Sequence, residues 1–138
     1  MIHRTLYIRG RWRVDVFIDN GDAFDISSVL ECLRDMSASE IAMERAEETM
    51  REGVPNEAFT YSRGRRTCMF IGKTTDSKEF INSLVHEIRH LIDHIADYYG
   101  MENGEDVGYL SGDMASALAG DICSLGCEHC DKQETTNK

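Results

Sequence analysis

The chain has 138 residues, 41% of them hydrophobic, enough for one core, so a single domain is expected. Its formal net charge is −10 and falls unevenly: residues 1–73 carry 11 Lys/Arg against 12 Asp/Glu, residues 74–138 only 4 against 13. That imbalance disfavours a nucleic-acid groove over the second half, since phosphates need clustered Lys/Arg. No stretch reads as a transmembrane span or an export signal, and five Cys do not make a disulfide scaffold, so a cytoplasmic, reducing location is expected.

Leu6, Ile8, Trp12, Val14, Val16 and Ile18 occupy even positions with mostly polar residues between them. That period of two predicts strand, either one bent at Gly10 or two joined there, ended by Asn20-Gly21. Asp25 suits the cap of a helix through about Met36, and Ser39 that of a second, charge-rich helix through about Arg51. Gly53 and Pro55 close this section. Phe59–Ser62 and Thr67–Ile71 predict a hairpin around Arg63-Gly64-Arg65-Arg66. Positive charge on Arg4, Arg9, Arg11, Arg13 and the hairpin turn reads as exposed strand and turn positions; the alternative is a docking patch for an acidic partner.

A long helix follows. Asp76 with Glu79 looks like its capping pair and Gly100 its stop. Ile81, Leu84, Val85, Ile88, Leu91, Ile92 and Ile95 recur at three- and four-residue intervals as an apolar face, with His86, His90, Asp93, His94 and Asp97 roughly opposite. Within it His86-Glu87-Ile88-Arg89-His90 reads H-E-x-x-H. Residues four apart lie on one face about 5–6 Å apart, so two imidazoles can reach one Zn²⁺, while the adjacent Glu can take a proton from a water the ion activates. A solvated polar face is the plain alternative, but it leaves the placement of Glu unexplained. His94 is about 12 Å from His86 along the axis, too far to share an ion. It belongs to the polar stripe or to the support of a ligand imidazole. The third ligand is then sought in the next helix, where a tight hairpin would bring Asp113 level with His90.

That next helix is expected from about Asn103 to about Ser124, with Gly108, Gly112, Ala115, Ser116, Ala119 and Gly120 allowing close approach to the motif helix. Tyr109 is either a packing residue or an oxyanion donor. Cys123, Cys127, His129 and Cys130 could chelate a structural metal or stand as free thiols. Residues 1–126 are taken as the domain and 127–138 as a polar C-terminal tail. The element order, strands, helices, hairpin, helices, is α+β.

His86-Glu87-x-x-His90 resembles the active helix of the zincin metallopeptidases. With Tyr98-Tyr99-Gly100 and Glu105-Asp106-Val107-Gly108-Tyr109-Leu110-x-Gly112, the stretch from about 66 to 120 resembles small zinc peptidases of bacterial phages and mobile elements. The third-His version of the motif is absent, because Asp93 and Ala96 stand where it has Gly and His. In the glutamate-type zincins a Glu from the following helix is the third ligand, and the resemblance implies Glu105 in that place beside His86 and His90, Zn²⁺ as cofactor and Glu87 as general base. It further implies a zincin-like sheet of about three to four strands and a peptide or protein substrate; from charge and hydropathy, no nucleic acid and no membrane are expected as partners. It also implies a substrate-binding sheet edge, for which Cys68–Ile71 is the candidate. A metal-dependent hydrolase acting on RNA and a non-catalytic, metal-binding regulatory domain are the rival readings. Oligomeric state is left open.

Overall fold

The computed structural model describes residues 1–9, 11–21, 24–101 and 108–118. The alternating N-terminal pattern becomes two antiparallel strands, β1 (Ile2–Ile8) and β2 (Trp12–Ile18), with Ile8 opposite Trp12 beside the turn. Helix α1 (Ile26–Asp35) starts where the Asp25 carboxylate accepts from the Ser27 amide at 3.0 Å. Helix α2 (Glu40–Glu52) starts where the Ser39 hydroxyl accepts from the Ala42 amide, and stops at Gly53 in the left-handed region, φ 62°. Each cap satisfies an amide that the first helical turn would otherwise leave unpaired. Strands β3 (Ala58–Arg63) and β4 (Arg66–Ile71) form the expected hairpin. Helix α3 (Ser77–Tyr99) opens on a 2.8 Å bond from the Glu79 amide to Asp76 and ends at Gly100, again left-handed at φ 67°. Residues 108–118 form α4.

The four strands make one mixed sheet in the order β1-β2-β4-β3, with β2 and β4 parallel and the outer pairs antiparallel. The expectation that Cys68–Ile71 forms a free edge is therefore corrected. β4 lies between β2 and β3, so its amides and carbonyls are used on both sides, and among the described residues the outer strands are β1 and β3.

Helices cover both faces. Val14, Val16, Ile18, Met69 and Ile71 pack against Leu84, Leu91, Ile92 and Ile95 of α3 and Leu110, Met114 and Leu118 of α4. Phe17, Cys68 and Phe70 pack against Val29, Cys32 and Leu33 of α1 and Ala46 and Met50 of α2. Each fully buried Leu or Ile contributes about 1.5–3 kcal/mol. Being covered on both faces is why β4 is buried from Thr67 to Ile71 instead of alternating.

The buried stripe of α3 is rotated from the one expected. Ile81 and Val85 are 43% and 60% exposed, while Phe80 and Glu87 join Leu84, Ile88, Leu91, Ile92 and Ile95 inside. The roll of the helix on the sheet thus turns Glu87 inward and leaves His86 and His90 on an exposed flank. Among the described residues no helix is long and apolar enough to cross a membrane. The architecture is α+β, as expected.

Candidate metal centre

His86 and His90, one turn apart on α3, bring their Nε2 atoms to 3.1 Å with the rings edge to face. Two nitrogens bound to one tetrahedral zinc at 2.0–2.1 Å would stand about 3.3 Å apart, so the pair has nearly the separation the ion requires. The Glu87 carboxylate completes the group. Its Oε2 lies 4.0 Å from His86 Nε2, and one ligand atom from each of the three residues falls within 4.8 Å of the others. The two imidazoles suit a borderline divalent ion, and the carboxylate stands beside them without being needed as a ligand.

Glu87 is held as well as placed. The Thr60 hydroxyl on β3 donates to Glu87 Oε1 at 2.9 Å, which leaves Oε2 on the His86 side. A carboxylate only 4% exposed needs such a partner, because an unpaired buried charge is costly. Thr60 was not anticipated from the sequence. The available signal was polar Thr60 and Ser62 at alternate positions of β3, on the side that meets α3.

Beside the group runs a cleft of about 590 Å³, lined by Thr49 of α2, by Asn56, Glu57 and Ala58 at the start of β3, and by Asn82, Ser83, His86 and Glu87 of α3. Ala58 belongs to β3, which is an outermost strand of the sheet among the described residues. Gly72 closes the sheet end here: its amide donates to the Glu57 carbonyl at 2.8 Å, and a Cβ at Gly72 would collide with that oxygen.

His94 has a different role. Its Nδ1 lies 2.6 Å from Ser62 Oγ, Ser62 lies 2.7 Å from Thr67 Oγ1, and Trp12 Nε1 donates to Thr67 at 2.8 Å. An indole N–H only donates, so the Thr67 oxygen accepts from Trp12, and its proton is free to point at Ser62. Burial, and secondarily the nearby His90, hold the His94 imidazole below its ordinary pKa, against the opposing pull of Asp93, Asp97 and Glu87. His94 therefore ties α3 to the hairpin through Ser62, consistent with its exclusion as a ligand on helical distance.

The remaining expected residues fall elsewhere. Glu105, Cys123, Cys127, His129 and Cys130, and the boundary at 126/127, lie outside the described residues. Asp113, the alternative third ligand, is 3.6 Å from Arg9. Arg9 shares a cavity with Trp12, Tyr99 and Met101, at the C-terminal end of α3, about 13 Å along the axis from His90. Asp113 is thus placed with Arg9 and not within the His86, Glu87 and His90 group. Tyr109 is 62% exposed, and it does not line the cleft beside His86 and Glu87.

Two of the arginines considered for a docking patch pair with a buried carboxylate while still reaching solvent. Arg13 and Arg66 lie 3.1 and 3.4 Å from the buried Asp15, which also accepts from Thr5. Burial alone would raise the Asp15 pKa; bonds from Thr5, His3 and Arg13 outweigh it and hold the carboxyl below its ordinary value. Arg63 donates to the Ser37 carbonyl. Asp15 carried no sequence signal beyond a polar residue within an apolar strand.

No protein-family profile, no curated protein and no solved structure matches this chain.

Proposed function

We propose that the protein is a zinc-dependent metallopeptidase centred on His86, Glu87 and His90. The observation that carries this is the convergence of two imidazole nitrogens 3.1 Å apart with a neighbouring carboxylate, beside a cleft lined in part by an outermost strand of the described sheet. His86 and His90 would hold Zn²⁺, with Glu105 as the third ligand that the zincin resemblance implies. Zinc in such a site lowers the pKa of a bound water toward about 7 and polarises a substrate carbonyl. Glu87, anchored through Oε1 by Thr60, would take the water's proton on Oε2 and deliver it to the leaving amine. The outer edge of β3, in place of Cys68–Ile71, is the strand available to pair with an extended substrate, main chain to main chain.

Tyr109 remains the proposed oxyanion donor only if substrate brings it to the cleft. Tyr109→Phe separates the two cases: a fall in kcat of roughly 10²-fold or more supports the role, and unchanged kcat removes it.

The first experiment is metal content by mass spectrometry on protein purified without added zinc. His90→Ala and a Cys123/Cys127/Cys130→Ser variant are measured alongside. One zinc, absent in His90→Ala and kept in the cysteine variant, supports the site. Glu87→Gln should then keep zinc and lose about 10²–10⁴-fold in peptide turnover; full activity in that variant would end the proposal. Cleavage of RNA but not of peptides would favour the hydrolase alternative. Zinc whose removal melts the fold, with no turnover of either, would favour the non-catalytic domain.

A further inference from the structure

We propose that Ser62 is a reactive serine nucleophile, with His94 as its base, which takes the acyl group of small carboxylic esters. The site does not depend on the metal centre: His94 is eight residues past His86 on α3 and bonds to the hairpin. Ser62 Oγ lies 2.6 Å from His94 Nδ1 and 2.7 Å from Thr67 Oγ1. Behind it stands a fixed donor, since the buried Trp12 indole can only donate and does so to Thr67 at 2.8 Å. With Thr67 accepting there, its own proton points to Ser62, and the Ser62 proton points to His94 Nδ1. A hydroxyl bonded in this sense to an imidazole is activated for attack, because the base removes the proton as the new bond forms.

The surroundings suit that use. Ser62 and His94 are half-buried, and both line a cavity of about 360 Å³. A bond that only fastened the helix to the hairpin would need no such opening. Burial, with the nearby His90, holds His94 below its ordinary pKa, so the imidazole is neutral at pH 7 and Nδ1 is free to accept. Its proton then sits on Nε2, and Asp97, one turn on along the same face, is the carboxylate that lines the cavity with it. Arg63 follows the nucleophile in the chain and lines the same cavity. One of its guanidinium nitrogens donates to the Ser37 carbonyl, which leaves other N–H groups of the fork for the oxyanion of a tetrahedral intermediate. Trp12 and Tyr98, edge to face with ring centroids 5.4 Å apart, give the cavity an apolar wall for the ester's leaving group.

The reaction needs only the ester and water. The Ser62 oxygen attacks the ester carbonyl carbon while its proton passes to His94 Nδ1. The bond from that carbon to the leaving oxygen breaks, and the oxygen takes the proton from His94 and departs as an alcohol, leaving acyl-Ser62. Water then attacks the acyl carbon and gives a proton to His94. The bond to Ser62 Oγ breaks, Ser62 recovers the proton, and a carboxylic acid departs. One ester and one water become one alcohol and one acid, with nothing oxidised or reduced.

The test uses the full chain, with and without EDTA, and p-nitrophenyl acetate as the probe. Folded protein is quenched in acid during the first turnovers, digested and mapped by mass spectrometry. The expected result is one acetyl group on Ser62, present with EDTA as without it, missing when the protein is first unfolded in urea, and accompanied by a burst of nitrophenolate. His94→Gln should slow acetylation of Ser62 by roughly 10²-fold or more, and Ser62→Ala should remove the burst. No acetyl group on Ser62, equal acetylation of Ser62 in urea, acetylation lost with EDTA, or an unchanged rate in His94→Gln would each overturn the proposal. The mapping is made on the unaltered chain, so a variant that fails to fold would not blunt it.

Discussion

Thr60 and Glu87 join the edge strand to the motif helix: the Thr60 hydroxyl donates to Glu87 Oε1 at 2.9 Å and lies 3.4 Å from the Glu87 carbonyl oxygen. The residues are 27 apart in sequence, and the bond fixes which carboxylate oxygen stays on the His86 side.

Thr60→Val keeps the shape of the side chain and removes the donor, leaving a buried carboxylate oxygen unpaired. The expected cost is about 1–3 kcal/mol in urea unfolding, and Thr60→Ser should recover most of it. Equal stability of all three proteins would mean that Glu87 finds another partner. If the proposed peptidase activity is found, Thr60→Val should also lower its kcat while zinc content stays unchanged.

Zinc affinity distinguishes the two acidic candidates for third ligand. Asp113 faces Arg9 at the far end of α3, so Asp113→Ala should leave zinc affinity within about twofold. Glu105→Ala should weaken it by more than the roughly 10–100-fold that outer partners of a metal site are worth. Competition titration with a chromophoric chelator measures both. Loss of zinc in Asp113→Ala alone would reverse the assignment.

His94 makes stability depend on pH in a defined direction. Its folded pKa lies below the ordinary 6.5, so on acidification the unfolded chain takes up this proton first. Stability from this residue is intact above about pH 6.5 and falls as the pH drops from there through the folded value. Urea midpoints measured across that range should fall less steeply for His94→Gln than for the unaltered protein, and equal slopes would show that His94 is not responsible.

Asp15 makes a contribution with its own window. Its folded pKa is below the ordinary 3.8, so its stabilisation is present above that value and is lost as the pH falls through the folded one. Asp15→Asn keeps the volume and removes the charge that Arg13 and Arg66 face. Because both arginines reach solvent, the loss at pH 7 should be about 2–4 kcal/mol rather than the full cost of orphaning buried cations. Urea unfolding at pH 7 measures it, and a loss under 1 kcal/mol would show that the arginines re-solvate freely.

Much of the secondary structure was legible because its causes are local. The caps at Asp25, Ser39 and Asp76 and the left-handed stops at Gly53 and Gly100 involve residues within three or four positions, and each stands where its side chain or missing Cβ directs. The same holds for His86 and His90, whose meeting needs only one helical turn. Sequence reasoning failed where the cause was distant. That Cys68–Ile71 is interior follows from β2 pairing alongside it, some 53 residues away in register. Period-two alternation could not announce this, since a strand covered on both faces has none. The roll of α3 that exposes Val85 and buries Glu87 is set by the surface the sheet offers, and the helical repeat alone permits several such rolls. Thr60 under Glu87, Ser62 on His94 and Cys32 on Asp15 are partners that only packing selects. Local hydrogen bonding and steric preference wrote the elements and the His pair into the chain; burial of both sheet faces, a property of the whole chain, decided which side chains they meet.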